Sequence, residues 1–412
     1  MESINYYFQR LLKSRILSVS FFWIISLLFT VIFSVTGPFV QFFPLFLNNN
    51  GLNASQISIA MSFLALSKIF ATVTVAFFID RSPKPHWYLA FTAGFTAFIW
   101  LLISIFDLSG LILIPLTLLF SFTWSASVPL SEGFSVRACR LSPDLDYGRM
   151  RLFGSAAFVI SGFICGMLID YFGMKAFSIY IYVACLGVAI LALKMPNFYD
   201  IERKNGIALP TTNFDVIKKL VSNKNYLYIV FGAGIMHAGH AVFLQSAAIE
   251  WQRVGYSGET IAFFFAIGVI AEIVLFYFGS SLEKNITTVG FFVIAAIASI
   301  IRWVGMSIEP NLVSILLLQS LHAFTFGALH LGCVRYFKDN LPDGTLGAAQ
   351  LIYGAVMWGI VMIPAAIASG YLYDNYGVRA YLPMAFVALL GLGVMLLAHN
   401  KHFTRYQILK TA

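Results

Sequence analysis

Residues 166–173 read GMLIDYFG, and residues 370–377 read GYLYDNYG. Both follow the pattern G-x-L-x-D-x-aromatic-G, each closes a long apolar stretch, and they stand about half a chain length apart. Helix ends in general favour Asp and Gly, which is one explanation of the match. A duplication is the explanation that we prefer, and it predicts a chain built from two similar halves.

The composition around these segments is that of a membrane protein. The chain of 412 residues is 59% hydrophobic and 11% charged, whereas a soluble chain carries about 25% charged residues. Stretches of roughly 20 apolar residues recur, and each can cross about 30 Å of hydrocarbon as a helix, which pairs its own backbone groups. We therefore predict an all-α, polytopic membrane protein with about twelve transmembrane helices. The predicted spans are residues 20–47, 54–79, 87–107, 110–140, 147–172, 174–195, 225–251, 258–282, 288–308, 311–338, 345–374 and 377–398.

The longest polar segment divides six predicted spans from the other six. We predict an N-terminal six-helix half at residues 1–195, a cytoplasmic linker at 196–224 and a C-terminal six-helix half at 225–412. Two parallel six-helix halves, related by an axis along the membrane normal, place a solute site at their interface near the midplane.

Lysine and arginine mark the side of the membrane on which each loop lies. With the N-terminus inside, the outer segments hold only Lys175, Arg253 and Arg379, and the inner segments hold many more basic residues. This bias predicts that both termini are cytoplasmic. Residues 1–20 lack a small-residue cleavage site, so no removable signal peptide is expected. The net charge of +8 belongs to the inner loops and does not indicate a nucleic-acid partner.

Three consecutive predicted spans each carry an ionisable residue near the middle, namely Glu272, Arg302 and His322. A charge inside hydrocarbon is costly and marks function by default. A glutamate that takes up a proton, and an arginine that drives it off, would link protonation to conformation. We interpret the three residues as a proton-coupling site and add His330, which lies about 80° further around an α-helix than His322.

The N-terminal half offers a second group of charges. Glu132 in span four and Arg151 in span five can pair across neighbouring helices and keep donors and acceptors for a solute; the alternative is an ion pair that only fixes helix packing. Lys68 lies inside span two, too far from either end to reach water easily. Arg149, closer to the inner face, is interpreted as a gating or loop contact.

Histidines and cysteines give no strong metal signal. His237 and His240 are three residues apart and share a helix face, but no third ligand is evident, so we expect no metal. The four cysteines stand singly and are interpreted as packing residues, which leaves no cofactor to expect.

Several motifs carry a resemblance to a known family. The most specific is DYGRMRLFGS at residues 146–155, supported by FFP at 42–44, Leu321-His322 and SGYLY at 369–373. On these motifs the chain resembles the major facilitator superfamily. It is most similar to the phenylpropionate permease group and more distantly to the lactose permease group of oligosaccharide–proton symporters.

The resemblance implies roles for residues that match the lactose permease pattern. Glu132 and Arg151 match its pair that binds sugar hydroxyls, and Phe158 stands where that group has a tryptophan that stacks on the sugar ring. Glu272, Arg302 and His322 match members of its coupling network.

The resemblance also exposes two departures. The carboxylate expected three residues after His322 is Thr325 here, so either the proton resides elsewhere, for example on Glu272, or coupling is weaker or absent. Asp80 and Arg81 belong to a degraded form of the superfamily's motif between spans two and three, which implies gating, but the usual glycine is missing.

We therefore predict a secondary active transporter, a proton-coupled symporter that takes up a small organic solute by alternating access. The candidate solutes are an aromatic acid, a sugar and a nucleoside. The expected partners are solute, protons and the lipid bilayer of the cell inner membrane, and a monomer is expected to function. The alternatives are an exporter of a drug or siderophore on the same fold and a membrane-embedded enzyme. The sequence shows no HExxH motif and no Ser/His/Asp grouping, so we expect no enzyme.

Overall fold

The computed structural model describes residues 2–74, 82, 84–142, 144–206, 214–342 and 344–398, with side chains from residue 19 onward except 72, 73, 199 and 214. Helices dominate these ranges, and no β-strand occurs in them. Eleven of the described stretches are long and apolar enough to cross a membrane. The last, Leu346–Leu397, holds both the eleventh and the twelfth predicted spans, because a 3-10 turn at Gly377–Tyr381 divides it. The predicted all-α polytopic fold is confirmed.

Nineteen α-helices occupy the described ranges, joined by short 3-10 and π segments. The first nine are α1 (Glu2–Asn49), α2 (Ala54–Thr74), α3 (Pro85–Phe106), α4 (Leu113–Trp124), α5 (Ser127–Leu141), α6 (Tyr147–Phe172), α7 (Lys175–Leu193), α8 (Phe198–Lys204) and α9 (Phe214–Val221). The others are α10 (Lys224–Ala238), α11 (Ala241–Arg253), α12 (Gly258–Tyr277), α13 (Gly279–Asn285), α14 (Thr288–Met306), α15 (Leu312–Ser320), α16 (Leu329–Asn340), α17 (Leu346–Ala355), α18 (Met362–Tyr376) and α19 (Leu382–Leu397).

Contacts between residues group the chain into two compact units. Unit 1 consists of Met1–Phe43, Phe70–Ser109 and Leu119–Thr212, and unit 2 consists of Pro44–Ile69, Gly110–Leu118 and Asn213–Ala412. Most of α2 therefore packs with helices from the C-terminal part of the chain. Because contact grouping reflects packing in one conformation, the division into residues 1–195 and 225–412 stays a prediction.

The repeated segment has the same local structure at both of its occurrences. Helix α6 ends at Phe172 and α18 ends at Tyr376, and the glycine that follows each has a positive φ, +76° at Gly173 and +56° at Gly377. A glycine reaches this region of backbone space without the strain that a Cβ would cause. The aromatic-Gly pair of each repeat is therefore a helix stop.

The predicted spans four and ten are both interrupted. Span four is broken at residues 125 and 126 into α4 and α5, and span ten contains a π segment, Ala323–Ala328, between α15 and α16. A second π segment, Val356–Ile360, lies before Pro364 in span eleven. A proline has no N–H for the carbonyl one turn earlier, which here is that of Ile360 at the end of this segment.

The predicted linker is partly helical and packed. In unit 1, Glu202 of α8 is fully buried and accepts a hydrogen bond from buried Arg137 of α5 at 2.6 Å. Phe198 packs on Phe21 and Phe134. In unit 2, Leu220 of α9 belongs to a buried apolar cluster. Because each helix is anchored by buried side chains, the described part of the linker is not a free tether.

Glycines let α2 approach the two halves of span eleven inside unit 2. A Cβ added at Gly359 would overlap the side chain of Ile69, and one added at Gly370 would overlap Ser58 and the carbonyl oxygen of Ala54. Small residues at such crossings permit close backbone approach in membranes. This close approach fixes the position of Lys68, the neighbour of Ile69.

Candidate functional site

Arg302 of α14 is the centre of a polar cluster inside unit 2. Its side chain is fully buried, with an exposed fraction of 0%. One terminal nitrogen donates to Gln319 Oε1 at 2.8 Å, and the other donates to Thr325 Oγ1 at 3.0 Å and lies 3.1 Å from His322 Nδ1. Within the described ranges, no carboxylate lies within ion-pair distance of this guanidinium. A buried cation surrounded by neutral acceptors needs charge compensation from further away.

His322 links Arg302 to a carboxylate. Its Nδ1 faces a guanidinium, which can only donate, so Nδ1 is the acceptor and the ring hydrogen is assigned to Nε2. Nε2 lies 3.5 Å from Glu272 Oε2, and about a fifth of each of these two side chains is exposed. The neutral imidazole therefore bridges a buried arginine and a partly accessible glutamate. The three residues predicted as a coupling set are brought together.

Thr325 occupies the place where the resemblance led us to expect a carboxylate. Its hydroxyl oxygen accepts from Arg302, and His240 Nε2 lies 3.1 Å from it. His240 Nδ1 lies 3.0 Å from the carbonyl oxygen of His237 and must donate to it, so Nε2 accepts the hydroxyl hydrogen of Thr325. A neutral hydrogen-bond chain thus replaces the charged partner.

The position of His330 differs from the α-helical expectation. The rings of His322, Phe326 and His330 stack in one row, with interplanar angles of 4° and 8° and centroid distances of 5.5 and 6.2 Å. A π segment adds one residue to a helical turn, so residues eight apart come back to the same face. The expected offset of about 80° is therefore wrong, since the intervening turn is not α-helical.

His237 and Trp358 form an aromatic contact that the sequence did not reveal. The imidazole of His237 stacks on that of His240 at 4.9 Å and lies 4.3 Å from the ring of Trp358. Lys68 Nζ lies 5.0 Å from the centre of the same indole. The spacing of His237 and His240 was a signal for this cluster. Nothing in the sequence around these residues indicated that Lys68 of α2 lies close to this cluster.

In unit 1, the predicted solute residues Glu132 and Arg151 lie close enough to interact electrostatically. They form no ion pair within 4.0 Å among the side chains that the structure describes. The guanidinium of Arg151 lies instead over the ring of Phe33, at 4.0 Å, and near Phe29, at 5.5 Å. Glu132 is half-buried. The pair is therefore looser than a bidentate ion pair and keeps polar atoms for other partners.

The remaining predicted site residues occupy different environments. Phe158 of α6 is half-buried, and its carbonyl oxygen lies where a Cβ at Gly37 would stand, so α1 and α6 touch there. Arg149 is exposed and lies 5.9 Å from the ring centre of Phe22. Asp80 and Arg81 lie outside the described residues.

Comparisons with known proteins assign the chain to a family. The chain is 26% identical over 384 residues to a protein named "Probable 3-phenylpropionic acid transporter" from Escherichia coli (strain K12), which covers 89% of this chain and 95% of that protein. It is 20% identical over 386 residues to the lactose permease of Citrobacter freundii, with coverages of 89% and 91%. The solved structure of the nucleoside transporter NupG matches with a TM-score of 0.78, 12% identity and coverages of 92% and 99%.

These matches confirm both resemblances that the motifs indicated. All three proteins are named as transporters or permeases rather than enzymes, so the prediction that the chain is not an enzyme is also confirmed. The family pattern extends over residues 22–382, which include every described residue of the candidate site. The chain belongs to the MFS_1 like family, a family of membrane transporters.

Proposed function

We propose that this transporter is a proton-coupled symporter that takes up a small organic solute by alternating access. The observation that carries the proposal is the bridge from Arg302 through His322 to Glu272. The bridge joins a buried cation to a titratable carboxylate through a titratable ring, and a proton added anywhere in it disturbs the rest.

A proton that enters the bridge has two places to go. On Glu272 it removes the negative charge that compensates Arg302 through the imidazole. On His322 Nδ1 the proton converts the acceptor of the hydrogen bond from Arg302 into an N–H donor, so that two donors face each other. Either change weakens the interactions that stabilise the buried guanidinium of Arg302. Proton binding therefore favours a different arrangement of these helices.

Binding of the solute and binding of the proton then both shift the same equilibrium between conformations. By linkage, a proton that favours one conformation raises the affinity of any solute that prefers the same conformation. With a neutral solute, an imported proton gains about 2.3 kcal/mol per 100 mV of membrane potential, which can drive the solute several tenfold uphill. With a monoanionic solute and one proton, no net charge crosses the membrane, and the pH gradient alone supplies the driving force. We place the protein in the cell inner membrane, with both termini cytoplasmic, and as a functional monomer.

For the solute contacts we propose Glu132, Arg151, Phe158 and Lys68. Basic groups outnumber Glu132 in this set, which suits an anionic solute, and Phe158 can stack on a flat ring. The relatives bear the names of a 3-phenylpropionic acid transporter, a lactose permease and a nucleoside transporter, so acids, sugars and nucleosides are the candidates to assay. We propose Arg149 as a gating contact, and Asp80 and Arg81 keep their predicted gating role.

The test is uptake into proteoliposomes with an imposed pH gradient, for the acid, sugar and nucleoside candidates. Uphill accumulation that collapses with a protonophore is expected for one of them. Glu272→Gln, which cannot titrate, is expected to abolish uphill uptake and to spare exchange of solute across the membrane. Glu283→Gln in the short helix α13 is the matched control and should keep uphill uptake.

Two outcomes would contradict the proposal. Unchanged concentrative uptake in Glu272→Gln would remove this residue from coupling. Intact cells that hold less internal solute when they express the protein would indicate the exporter instead of the symporter.

A further inference from the structure

His237 is a buried polar side chain without hydrogen bonds to its ring. It is 1% exposed, and neither ring nitrogen has a hydrogen-bond partner among the described residues. A neutral imidazole offers one donor and one acceptor, and leaving both unused in a buried place is unfavourable. The imidazole of His237 can therefore form hydrogen bonds with a bound ligand.

The indole of Trp358 packs against the imidazole of His237. Trp358 lies in the π segment Val356–Ile360, is half-buried, and approaches the ring of His237 edge-on with an interplanar angle of 68°. Phe326, also half-buried, lies 5.7 Å from His237 and 6.0 Å from Trp358. Two partly accessible aromatic faces beside an unsatisfied imidazole suit a ligand with one polar end and a flat apolar body.

Lys68 brings a positive charge to the same indole. Its Nζ lies 5.0 Å from the ring centre of Trp358, and its side chain is exposed although α2 is a membrane span. Contact between Gly359 and Ile69 holds α2 against the π segment at this level. The ammonium and the unsatisfied imidazole therefore both border Trp358, and they reach it from different helices.

From this convergence we infer that His237, Trp358 and Lys68 form a carboxylate-binding subsite, which takes the acid group of a solute whose planar body lies against Trp358 and Phe326. The inference rests on the proposed uptake of an organic solute and names the chemical class of that solute. The carboxylate accepts from the lysine ammonium and from the His237 N–H, and such charge-assisted bonds are the strong ones.

Other ligand classes fit less well. A sugar hydroxyl can pair with His237 but carries no charge to complement the ammonium of Lys68. A metal ion would be repelled by that ammonium, and no group of three His, Cys, Asp or Glu residues suitable for a metal occurs among the described residues. A monocarboxylate can accept hydrogen bonds from both the imidazole N–H of His237 and the ammonium of Lys68.

The test is equilibrium binding to the purified full-length protein by calorimetry, with 3-phenylpropionate as the probe and 3-phenylpropionamide as its neutral counterpart of equal shape. The acid is expected to bind at least about tenfold more tightly than the amide, as for one hydrogen bond to a charged group. Equal affinities for acid and amide, or no binding of the acid, would overturn the inference.

Variants locate the subsite. Lys68→Gln and His237→Phe should each weaken acid binding by roughly tenfold or more and change amide binding little. Lys68→Arg keeps the charge and should stay close to the wild-type protein, which also shows that the position tolerates substitution. Lys194→Gln, at the exposed end of α7, is the matched control. Acid affinity that is unchanged in Lys68→Gln would contradict the subsite.

The two proposals fail in distinguishable ways. If the acid binds with this dependence but a pH gradient drives no uptake, symport is wrong and the subsite stands. If the wild-type protein takes up a sugar along a pH gradient but does not bind the acid, transport stands and the subsite is wrong.

Discussion

Asp374 near the end of α18 caps the start of α2 at Ser55. Its carboxylate accepts from the backbone N–H of Ser55 at 2.8 Å, from the Ser55 hydroxyl and from the N–H of Ala54 at 3.0 Å. The two backbone N–H groups are orphan donors of the first helical turn, where the helix dipole also favours negative charge. The Asp of the repeated segment therefore joins predicted spans two and eleven.

We predict that Asp374→Asn loosens this contact. The amide keeps one acceptor but loses the charge, which is worth about 0.5–2 kcal/mol at a helix N-terminus. Spin labels at Ile59 and Tyr371, both exposed, should report a larger population of long α2–α18 distances. Asp144→Asn, an exposed residue before α6, is the control and should leave the distribution as it was. An unchanged distribution in Asp374→Asn would mean that packing alone holds the helices.

Gly359 and Gly354 form a matched pair for testing the α2 crossing. A Cβ at Gly359 overlaps Ile69, whereas nothing lies within 4 Å of a Cβ at Gly354. Gly359→Leu should cost about 1–3 kcal/mol through overpacking and displace Lys68 from Trp358. Thermal unfolding in detergent should show a lower Tm for Gly359→Leu than for Gly354→Leu. Equal values for the two variants would show that α2 does not press on this glycine.

Thr325 offers a prediction about the polar cluster. Thr325→Val removes the hydroxyl between Arg302 and His240 and should destabilise the protein by about 1–3 kcal/mol, since two buried groups lose a partner. Thr325→Ser keeps the hydroxyl and should cost less. The measurement is the Tm of both variants in one detergent. If serine and valine cost the same, the loss comes from packing and not from the hydrogen bonds.

The buried pair of Arg137 and Glu202 predicts how α8 is held. Glu202→Gln removes the carboxylate charge that pairs with buried Arg137, which should cost about 3–5 kcal/mol for this buried pair. Trypsin cleavage after Arg203 and Lys204 is expected to accelerate. Replacing both partners, Arg137→Met with Glu202→Leu, should restore much of the protection. A double variant as sensitive as the single one would argue that the charge pair is not the cause.

Local rules predicted much of the fold. The helix stops at Gly173 and Gly377 follow from a residue type that tolerates positive φ, whereas the interruption of span ten was not predicted. The π segments themselves have no such local sign at Ala323–Ala328, because a widened turn is stabilised by what packs around it. This is why the position of His330 was predicted wrongly.

The candidate site also has features that the sequence predicted and features that only the tertiary structure revealed. The sequence singled out Glu272, Arg302 and His322 because a charge in an apolar span is expensive wherever the helix lies. It did not indicate that His237 and Lys68 both lie against Trp358, since these residues are far apart in the chain and meet only through the crossing of α2.

By itself, the sequence determined the membrane-spanning stretches, their helical state and the residues that are candidates for function, because span length, backbone pairing in lipid and the cost of a buried charge act on each segment separately. Only the tertiary structure decided which ionisable groups meet. Arg302 reaches Glu272 through His322, and Asp374 caps α2, because helix crossings bring together residues from distant parts of the chain.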